Sequence, residues 1–287
     1  MNDIETLDFI ELIDAVLIED IQEGDHTTLA TIDADAIGKA KLLVKEHGII
    51  AGVDLAEKIL KHVSPEIEID KMIPDGAWVE PGFLVFTATG RIQALLIAER
   101  TLLNFMQRMS GIATRTNLFV QSVRGTKAKI LDTRKTIPGL RYFDKWAVRL
   151  GGGYNHRMGL YDMVMIKDNH IDYCGGIENA IDRVQLYLEE NKIDIPVEIE
   201  TRNIVEVKQV LAKGGVNRIM LDNFKLEDLH TAVGLIGNKF EIEASGGINL
   251  DTVSAIAAAG VDFISVGELT HSVKGLDLSF KAIIHTP

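Results

Sequence analysis

The sequence predicts an α/β protein in which a small α+β domain precedes a long region of alternating strands and helices. Short strand-like stretches, punctuated by glycine and proline, occupy residues 37–90. From residue 129 onward, six apolar stretches alternate with helical segments on short loops. This alternation indicates parallel strands joined by right-handed crossovers, and six or seven such units close, or nearly close, an α/β barrel. A doubly wound sheet is the alternative arrangement.

The spacing of apolar residues assigns the individual elements in chain order. Helical spacing over residues 7–19 predicts a first helix. The N-terminal domain is then predicted to hold strands at 40–44, 49–51, 67–69 and 84–88, with a helix at 53–63. Two further helices are predicted at 92–109 and 112–123. The later strands are predicted at 129–131, 163–166, 197–199, 218–221, 241–244 and 263–266, with helices at 177–190, 203–213, 226–236 and 250–259.

The composition limits the class of protein. With 287 residues, of which 46% are hydrophobic, the chain can bury a sizeable core, which argues against disorder. No run of 18 apolar residues is present, so we expect no membrane span, and the acidic Met1–Glu5 segment lacks the pattern of a secretory signal. The single Cys174 cannot form an internal disulfide, which favours a reducing compartment. We therefore expect a cytoplasmic protein.

The charge distribution predicts a small anionic ligand rather than nucleic acid. The net charge of −12 argues against a nucleic-acid partner. Residues 100–170 nevertheless carry 13 Lys and Arg against four Asp and Glu. The cationic side chains that follow strand-like residues in this region are Arg134, Lys135, His156, Arg157 and Lys167. Because such a group focuses positive potential where strands end, we expect an anion site, with pairing to Asp132, Asp162 and Asp168 as the alternative.

Two carboxylates follow two successive strands of the predicted barrel. Glu200 ends one strand and Asp222 ends the next. The C-terminal ends of barrel strands form the active site, and oxygen ligands beside a phosphate-rich substrate usually hold Mg²⁺. Glu198 alternates with Glu200 and therefore points to the same face of its strand. The sequence thus predicts a Mg²⁺ site at Glu200 and Asp222, with an ion pair to the cationic group as the alternative interpretation.

Glycine-rich loops follow the last two predicted strands, as Ser245-Gly246-Gly247 and Ser265-Val266-Gly267. Glycine lets backbone N–H groups approach a phosphate, and these loops are the usual phosphate site of α/β barrels. Two such loops in succession therefore indicate phosphate binding. The earlier helix carries Glu99 and Arg100 within an apolar sequence, where an exposed flank of the helix is an equally good interpretation.

A series of short sequence blocks, spread in order over nearly the whole chain, matches one known family. The blocks are Glu23–Thr28, Ala98–Asn104, Ser110–Thr114, Asp132–Thr136, Pro138–Arg141, Gly151–Gly153, Asn155–Arg157, Lys167–His170, Leu221–Asn223, Glu243–Ile248 and Ser265–Gly267. They resemble the quinolinate phosphoribosyltransferases, a family of type II phosphoribosyltransferases. One departure is Thr201-Arg202, which follows Glu200 where the family pattern leads us to expect an apolar or acidic continuation.

The resemblance implies a fold, a reaction and an assembly. The fold is an N-terminal α+β sandwich-like domain, residues 1–111, and an incomplete α/β (TIM-like) barrel, residues 112–274, with residues 275–287 packing with the first domain. The reaction transfers phosphoribosyl from 5-phosphoribosyl 1-diphosphate to quinolinate with decarboxylation, a step of NAD biosynthesis that gives nicotinate mononucleotide, diphosphate and CO₂. The assembly is a homodimer, or a higher oligomer, in which Arg100 reaches the partner's site.

The resemblance also implies roles for individual residues. Quinolinate is expected to bind Arg100, Arg134, His156 and Arg157. Catalytic roles between acceptor and donor are expected for Lys135, Lys167, Glu200 and Asp222, and the two carboxylates are expected to serve Mg²⁺ and the ribose hydroxyls. The 5-phosphate is expected to bind Ser245, Gly246, Gly247 and Gly267.

Three other functions remain open on the residues alone, two enzymatic and one non-catalytic. A nicotinate phosphoribosyltransferase shares the donor but takes a monocarboxylate, whereas two or more strong cations favour a dicarboxylate. A Schiff-base aldolase would use Lys167 and would be trapped by borohydride. A non-catalytic barrel that only binds the donor is the third, and the carboxylates Glu200 and Asp222 argue against it.

Overall fold

The computed structural model describes residues 9–284, and the chain divides into two units. One unit comprises residues 9–115, 142–151 and 273–284, and the other comprises residues 116–141 and 152–272. Within this described part of the chain, no helix combines the length and the apolar character that a membrane span requires.

The helices and strands follow one another in nearly the predicted order. As far as residue 150 they are α1 (Phe9–Ile21), α2 (His26–Thr31), β1 (Ile37–Val44), β2 (Gly48–Ile49), α3 (Val53–Val63), β3 (Glu68–Lys71), β4 (Trp78–Val79), β5 (Leu84–Arg91), α4 (Ile92–Ser122), β6 (Lys129–Leu131) and α5 (Arg141–Leu150). The remainder are β7 (Val164–Ile166), α6 (Asp168–Cys174), α7 (Ile177–Asn191), β8 (Val197–Thr201), α8 (Ile204–Lys213), β9 (Arg218–Asp222), α9 (Leu226–Ile236), β10 (Glu241–Ser245), α10 (Val253–Ala258), β11 (Phe263–Ser265), α11 (Glu268–His271) and β12 (Leu278–Ala282).

An antiparallel sheet of four strands, in the order β12-β1-β5-β3, forms the centre of the first unit. Strand β1 lies between two partners, since Ala40 pairs with Ala88 of β5 and with Ala282 of β12. Leu42 and Phe86 on these strands are buried. Strand β12 therefore completes a sheet whose other strands come from the first third of the chain.

A parallel sheet of six strands, in the order β6-β11-β10-β9-β8-β7, forms the second unit. Its first strand pairs with its last, because Lys129 of β6 lies opposite Phe263 of β11. Strands β6 and β7, at the two ends of this order, are not hydrogen-bonded to each other in the described structure. A single bridge between Leu131 and Tyr154 extends the sheet beyond β6. The predicted incomplete α/β barrel is therefore confirmed.

The two faces of this parallel sheet differ in chemistry. Ile199, Ile219, Ile242 and Ile264 on four neighbouring strands point to one face and are fully buried. The alternate positions on the same strands are mostly polar, since successive side chains point to opposite faces. Those polar positions face the interior of the barrel, and they supply the side chains of the site described below.

Helix α4 corrects one prediction, because a single helix of 31 residues replaces the two predicted helices at 92–109 and 112–123. The predicted break lies at Gly111. The helix continues through Gly111, where a Cβ atom would collide with the carbonyl oxygen of Lys274. The glycine therefore allows close approach of another backbone segment rather than ending the helix.

The segment Tyr142–Gly151 differs from the predicted domain division, because it joins the first unit rather than the barrel. Buried Asp144 accepts two hydrogen bonds from the guanidinium of Arg108, both at 2.8 Å. Phe143 packs on Phe105 with ring centroids 4.9 Å apart. This bidentate charged contact and this aromatic pair explain why α5 packs in the first unit, although its place in the sequence predicted the barrel. The predicted helix at 7–19 is present as α1, although residues 7 and 8 lie outside the described part.

Candidate active site

A cavity of about 890 Å³ opens among the C-terminal ends of the parallel strands. Every predicted site residue except Arg100 lines it, namely Arg134, Lys135, His156, Arg157, Lys167, Glu200, Asp222, Ser245, Gly246, Gly247 and Gly267. Arg100 lies on α4 in the first unit and is exposed. The strand order explains the grouping, because parallel strands bring their C-terminal ends to one rim.

Cationic side chains form one side of this cavity. Burial, followed by the neighbouring charge of Arg134, lowers the pKa of Arg157. The Nη1 atom of Arg157 donates to the carbonyl of Met163 at 3.1 Å, which fixes one edge of its guanidinium. The backbone of Lys135 is held twice, since its N–H donates to the Thr133 hydroxyl at 3.1 Å and its carbonyl accepts from the Thr270 hydroxyl at 2.9 Å. The repulsion between the two arginines favours a bound anion.

Two aspartates offered as alternative partners of the cationic group also organise its backbone. Asp162 accepts hydrogen bonds from the amides of Met158 and Gly159 at 2.7 and 2.9 Å. Buried Asp132 accepts from the amide of His156 at 2.9 Å. These bonds shape the loop that carries His156 and Arg157.

The carboxylates Glu200 and Asp222 occupy neighbouring strand ends on one face of the sheet. Glu200 of β8 lies opposite Met220 of β9, and Asp222 lies two residues farther along β9. Burial raises the pKa of Glu200, the nearby charge of Lys167 lowers it, and Asp222 raises it further. The Nζ atom of Lys167 lies 3.4 Å from Oε2 of Glu200, so the predicted ion pair is present. This long contact leaves oxygen atoms available for a divalent cation.

Lys167 and Arg202 link the strand ends to the following helices. The amide of Lys167 donates to Nδ1 of His170 at 2.9 Å at the start of α6. Arg202 pairs with Asp172 on α6 at 3.0 Å and with Glu206 on α8 at 2.7 Å. The departure at Arg202 from the expected sequence pattern thus has a structural explanation, because its charge connects two helices beside the site.

The glycine loops adopt conformations that side chains disfavour. Gly246 and Gly247 have φ values of 92° and 61°. A Cβ atom at Gly246 would collide with the side-chain amide of Asn223, whose own backbone N–H donates to the Ser245 carbonyl at 2.9 Å. At Gly247, no atom of the described structure lies within 4 Å of such a Cβ. This loop therefore exposes backbone to the cavity, as phosphate binding requires.

Gly267 brings the other glycine loop close to the cationic side. A Cβ atom at Gly267 would lie 3.3 Å from Cδ of Lys135 and 3.2 Å from a ring carbon of His271. His271 also lines the cavity, and the sequence did not single it out. No strand-end motif marks His271, because it belongs to the short helix that follows β11.

A group of charged residues lies in the barrel interior, and two of them, His156 and Glu243, line the cavity. We call His156, Glu198, Arg218 and Glu243 the floor cluster. Nε2 of His156 lies 3.0 Å from Oε2 of Glu198 and 3.4 Å from Oε2 of Glu243. Nη1 of Arg218 lies 3.0 Å from Oε2 of Glu243. Burial opposes a charge on His156, but the two carboxylates outweigh it and raise the pKa of His156 to about 9.

Glu243 and Arg218 of this cluster were not among the predicted site residues. A signal for Glu243 was available, because Glu241-Ile242-Glu243 repeats the alternation of Glu198-Ile199-Glu200. The register between strands, which brings these side chains together, is not readable from either strand alone. The ligand atoms of His156, Glu198 and Glu243 lie within 4.8 Å of one another, a spacing that would also suit a metal ion.

Comparisons with known proteins agree along nearly the whole length of the chain. The family model for the quinolinate phosphoribosyl transferase C-terminal domain matches residues 112–281, and the model for the N-terminal domain matches residues 25–110. A chloroplastic nicotinate-nucleotide pyrophosphorylase [carboxylating] of Arabidopsis thaliana is 50% identical over 291 residues, covering 96% of this chain and 83% of that protein.

Solved structures give the same result. The crystal structure of NadC from Streptococcus pyogenes is 36% identical, with a TM-score of 0.92 and coverage of 99% of this chain and 100% of that one. The nicotinate-nucleotide pyrophosphorylase of Francisella tularensis is 39% identical, with a TM-score of 0.90 and coverage of 96% of each chain.

Proposed function

The chain belongs to the quinolinate phosphoribosyltransferase family, and we propose that the cavity of its barrel is where the family's reaction takes place. The reaction transfers phosphoribosyl from 5-phosphoribosyl 1-diphosphate to quinolinate with decarboxylation, and it supplies nicotinate mononucleotide for NAD biosynthesis. One observation carries the assignment of the site: a single cavity holds cations on one side, and carboxylates and open glycine backbone on the other.

In this proposal Arg134 and Arg157 bind the two carboxylates of quinolinate, and the positive charge of His156 lies beside them. An arginine fork matches a carboxylate bidentately. Burial and then the neighbouring charge of Arg134 lower the pKa of Arg157, and a bound dianion relieves the repulsion between the two arginines. A monocarboxylate such as nicotinate neutralises fewer of these charges.

The donor phosphate binds the glycine loops in this proposal. Ser245, Gly246 and Gly247 present backbone groups, and positive φ values at both glycines leave room for a phosphate oxygen. Lys135, whose side chain runs alongside Gly267, places a positive charge beside the same loop. Lys135 therefore lies between the proposed 5-phosphate site and the cationic acceptor site.

The residues present fit a Mg²⁺ ion at Glu200 and Asp222. Both offer oxygen ligands from one face of adjacent strands, and burial, with a smaller contribution from Asp222, raises the pKa of Glu200. Mg²⁺ takes such carboxylates together with waters and substrate oxygens, and when bound it neutralises negative charge on a diphosphate. The remaining oxygens of Glu200 and Asp222 are placed to accept hydrogen bonds from ribose hydroxyls.

The chain's own contribution to the reaction is electrostatic and orienting. Arg134 and Arg157 hold the acceptor so that its ring nitrogen attacks C1 of the ribose while the C1–oxygen bond to diphosphate breaks. Lys135 and Lys167 neutralise charge on the departing diphosphate. The ring nitrogen, now cationic, stabilises the electron pair that remains on C2 when CO₂ leaves, and C2 then uses that pair to bind a proton. No nucleophilic side chain is required.

We propose that the active form is a homodimer in which Arg100 of the partner subunit completes the acceptor site. Arg100 is exposed on α4, and Leu96 one turn earlier is an exposed apolar residue at 39%. Mixing an R100A protein with an R134A protein tests this arrangement. Random exchange of subunits rebuilds one native site in each mixed dimer, so we expect activity at roughly a quarter of the wild-type level. Activity that stays at the level of the two parents contradicts it.

Product formation tests the proposed function. Purified protein with quinolinate, 5-phosphoribosyl 1-diphosphate and Mg²⁺ is expected to yield nicotinate mononucleotide and CO₂. Chromatography measures the nicotinate mononucleotide. A parallel reaction with nicotinate tests for nicotinate phosphoribosyltransferase activity. Product from nicotinate but not from quinolinate would contradict a dicarboxylate site. Omission of Mg²⁺ tests the carboxylate assignment in the same assay.

A further inference from the structure

The floor cluster places two carboxylates directly beneath a site proposed for an anion. Glu198 and Glu243 have no exposed side-chain surface, and both approach Nε2 of His156. Negative charge beneath a dianion is unfavourable unless it serves another group.

Three adjacent strands hold the cluster in register. Glu198 of β8 lies opposite Arg218 of β9, and Glu243 of β10 lies opposite Met220 of β9. The guanidinium of Arg218 contacts Glu243 at 3.0 Å and Glu241 at 2.9 Å, and it stacks 3.9 Å from the ring centroid of Phe263. The carboxylates are therefore fixed by strand pairing, and Arg218 balances part of their charge.

The imidazole of His156 is held on both of its nitrogen edges. Its Nδ1 atom accepts a hydrogen bond from the amide of Arg157 at 2.6 Å. Its Nε2 atom faces the carboxylates of Glu198 and Glu243, at 3.0 and 3.4 Å. The amide of His156 itself donates to Asp132 at 2.9 Å. The ring of His156 and the backbone of Arg157, both in the proposed acceptor site, are therefore fixed together.

We propose that Glu198 and Glu243 are positioning residues for acceptor binding, which act by fixing the imidazole of His156 and, through it, the backbone of Arg157. The inference rests on the proposed function, because it assigns His156 and Arg157 to the acceptor. Arg218 balances part of the negative charge, since its guanidinium contacts Glu243. The charges that face His156 are thus Glu198, Glu243 and Arg218 from the sheet and Arg157 from its own loop.

Two substitutions, with one matched control and one conservative variant, test the proposal. Glu198→Gln and Glu243→Gln remove a carboxylate beside Nε2, whereas Glu241→Gln removes the carboxylate that contacts Arg218 at its exposed end. We expect the first two to raise the KM for quinolinate roughly tenfold and to leave the KM for the phosphoribosyl donor within about twofold. Glu241→Gln should leave both unchanged, and Glu198→Asp should recover part of the loss.

A second readout follows His156 directly. In protein labelled with ¹⁵N-histidine, the ring of His156 should titrate above its ordinary range and should shift down in the Glu198→Gln variant. An ordinary titration of His156 in the wild type overturns the proposal without any variant. Equal losses in Glu241→Gln, or equal rises of both KM values, also overturn it. The wild-type product assay separates these outcomes from a failure of the proposed function, because the wild type is expected to form product whether or not Glu198 and Glu243 position His156.

Discussion

The charged side chains inside the barrel form two groups that differ in how their charges are matched. At the strand ends the charges are only partly matched: burial and then Arg134 lower the pKa of Arg157, and Glu200 lies beside Asp222 with one long contact, at 3.4 Å, to Lys167. In the floor cluster, each ionic contact joins opposite charges, at 3.0 to 3.4 Å. In the proposed function, partly matched charge at the rim is complementary to a ligand, whereas matched charge below it supports the residues that bind. The difference separates binding groups from supporting groups.

The largest expected effect comes from breaking the cationic rim. Arg134→Ala should lower kcat/KM for quinolinate about a hundredfold or more, because two charge-assisted hydrogen bonds to a carboxylate are lost. Steady-state kinetics with varied quinolinate measure this loss. Arg183→Ala, an exposed arginine on α7 away from the cavity, is the matched control and should be silent. Normal kinetics of the Arg134 variant would remove it from the acceptor site.

The acidic rim is expected to give the next largest effect. Glu200→Gln should raise the Mg²⁺ concentration that gives half-maximal activity about tenfold, because one charged oxygen ligand is lost. A Mg²⁺ titration of the initial rate measures this change, with exposed Glu178→Gln on α7 as the control. An unchanged Mg²⁺ dependence would assign Glu200 to Lys167 alone.

The floor cluster should reveal itself in the dependence of stability on pH. His156 has a pKa of about 9 in the folded protein, above its ordinary value of 6.5. A raised pKa stabilises the folded state fully below about pH 6.5, and this contribution is lost as the pH rises to about 9. Thermal melts should therefore show a Tm that falls over this window more steeply in the wild type than in a His156→Gln variant. Parallel Tm curves for the two proteins would contradict the charge pairing.

The smallest effect is expected outside the barrel interior. Arg202→Ala breaks an exposed pair with Asp172 and a partly buried pair with Glu206, whose carboxylate keeps the hydrogen bond from the amide of residue 202, so the free energy of unfolding should fall by about 1 kcal/mol. Denaturant titrations measure this change. Lys213→Ala, which breaks a comparable exposed pair with Asp182, is the matched control. A fall of several kcal/mol in the free energy of unfolding of Arg202→Ala would show that these pairs are a major source of stability.

Much of the fold was predictable because strand patterns are local. All six barrel strands and their polar ends follow from apolar stretches and the residues after them, and Arg134, Glu200 and Gly246 were found in this way. What failed was non-local. The pairing of Arg218 with Glu243 depends on register between strands, and the role of Gly111 depends on a segment more than 160 residues away.

The pairing of β12 with β1 has a consequence for synthesis. Strand β1 is made early, but one of its two hydrogen-bonding partners is residues 278–282. During translation its edge therefore stays open while more than 230 residues are added, and an open edge is a template for wrong pairing. The N-terminal sheet can be completed only after nearly the whole barrel has emerged. A nascent chain stalled before residue 278 should accordingly bind chaperones that a full-length chain has released.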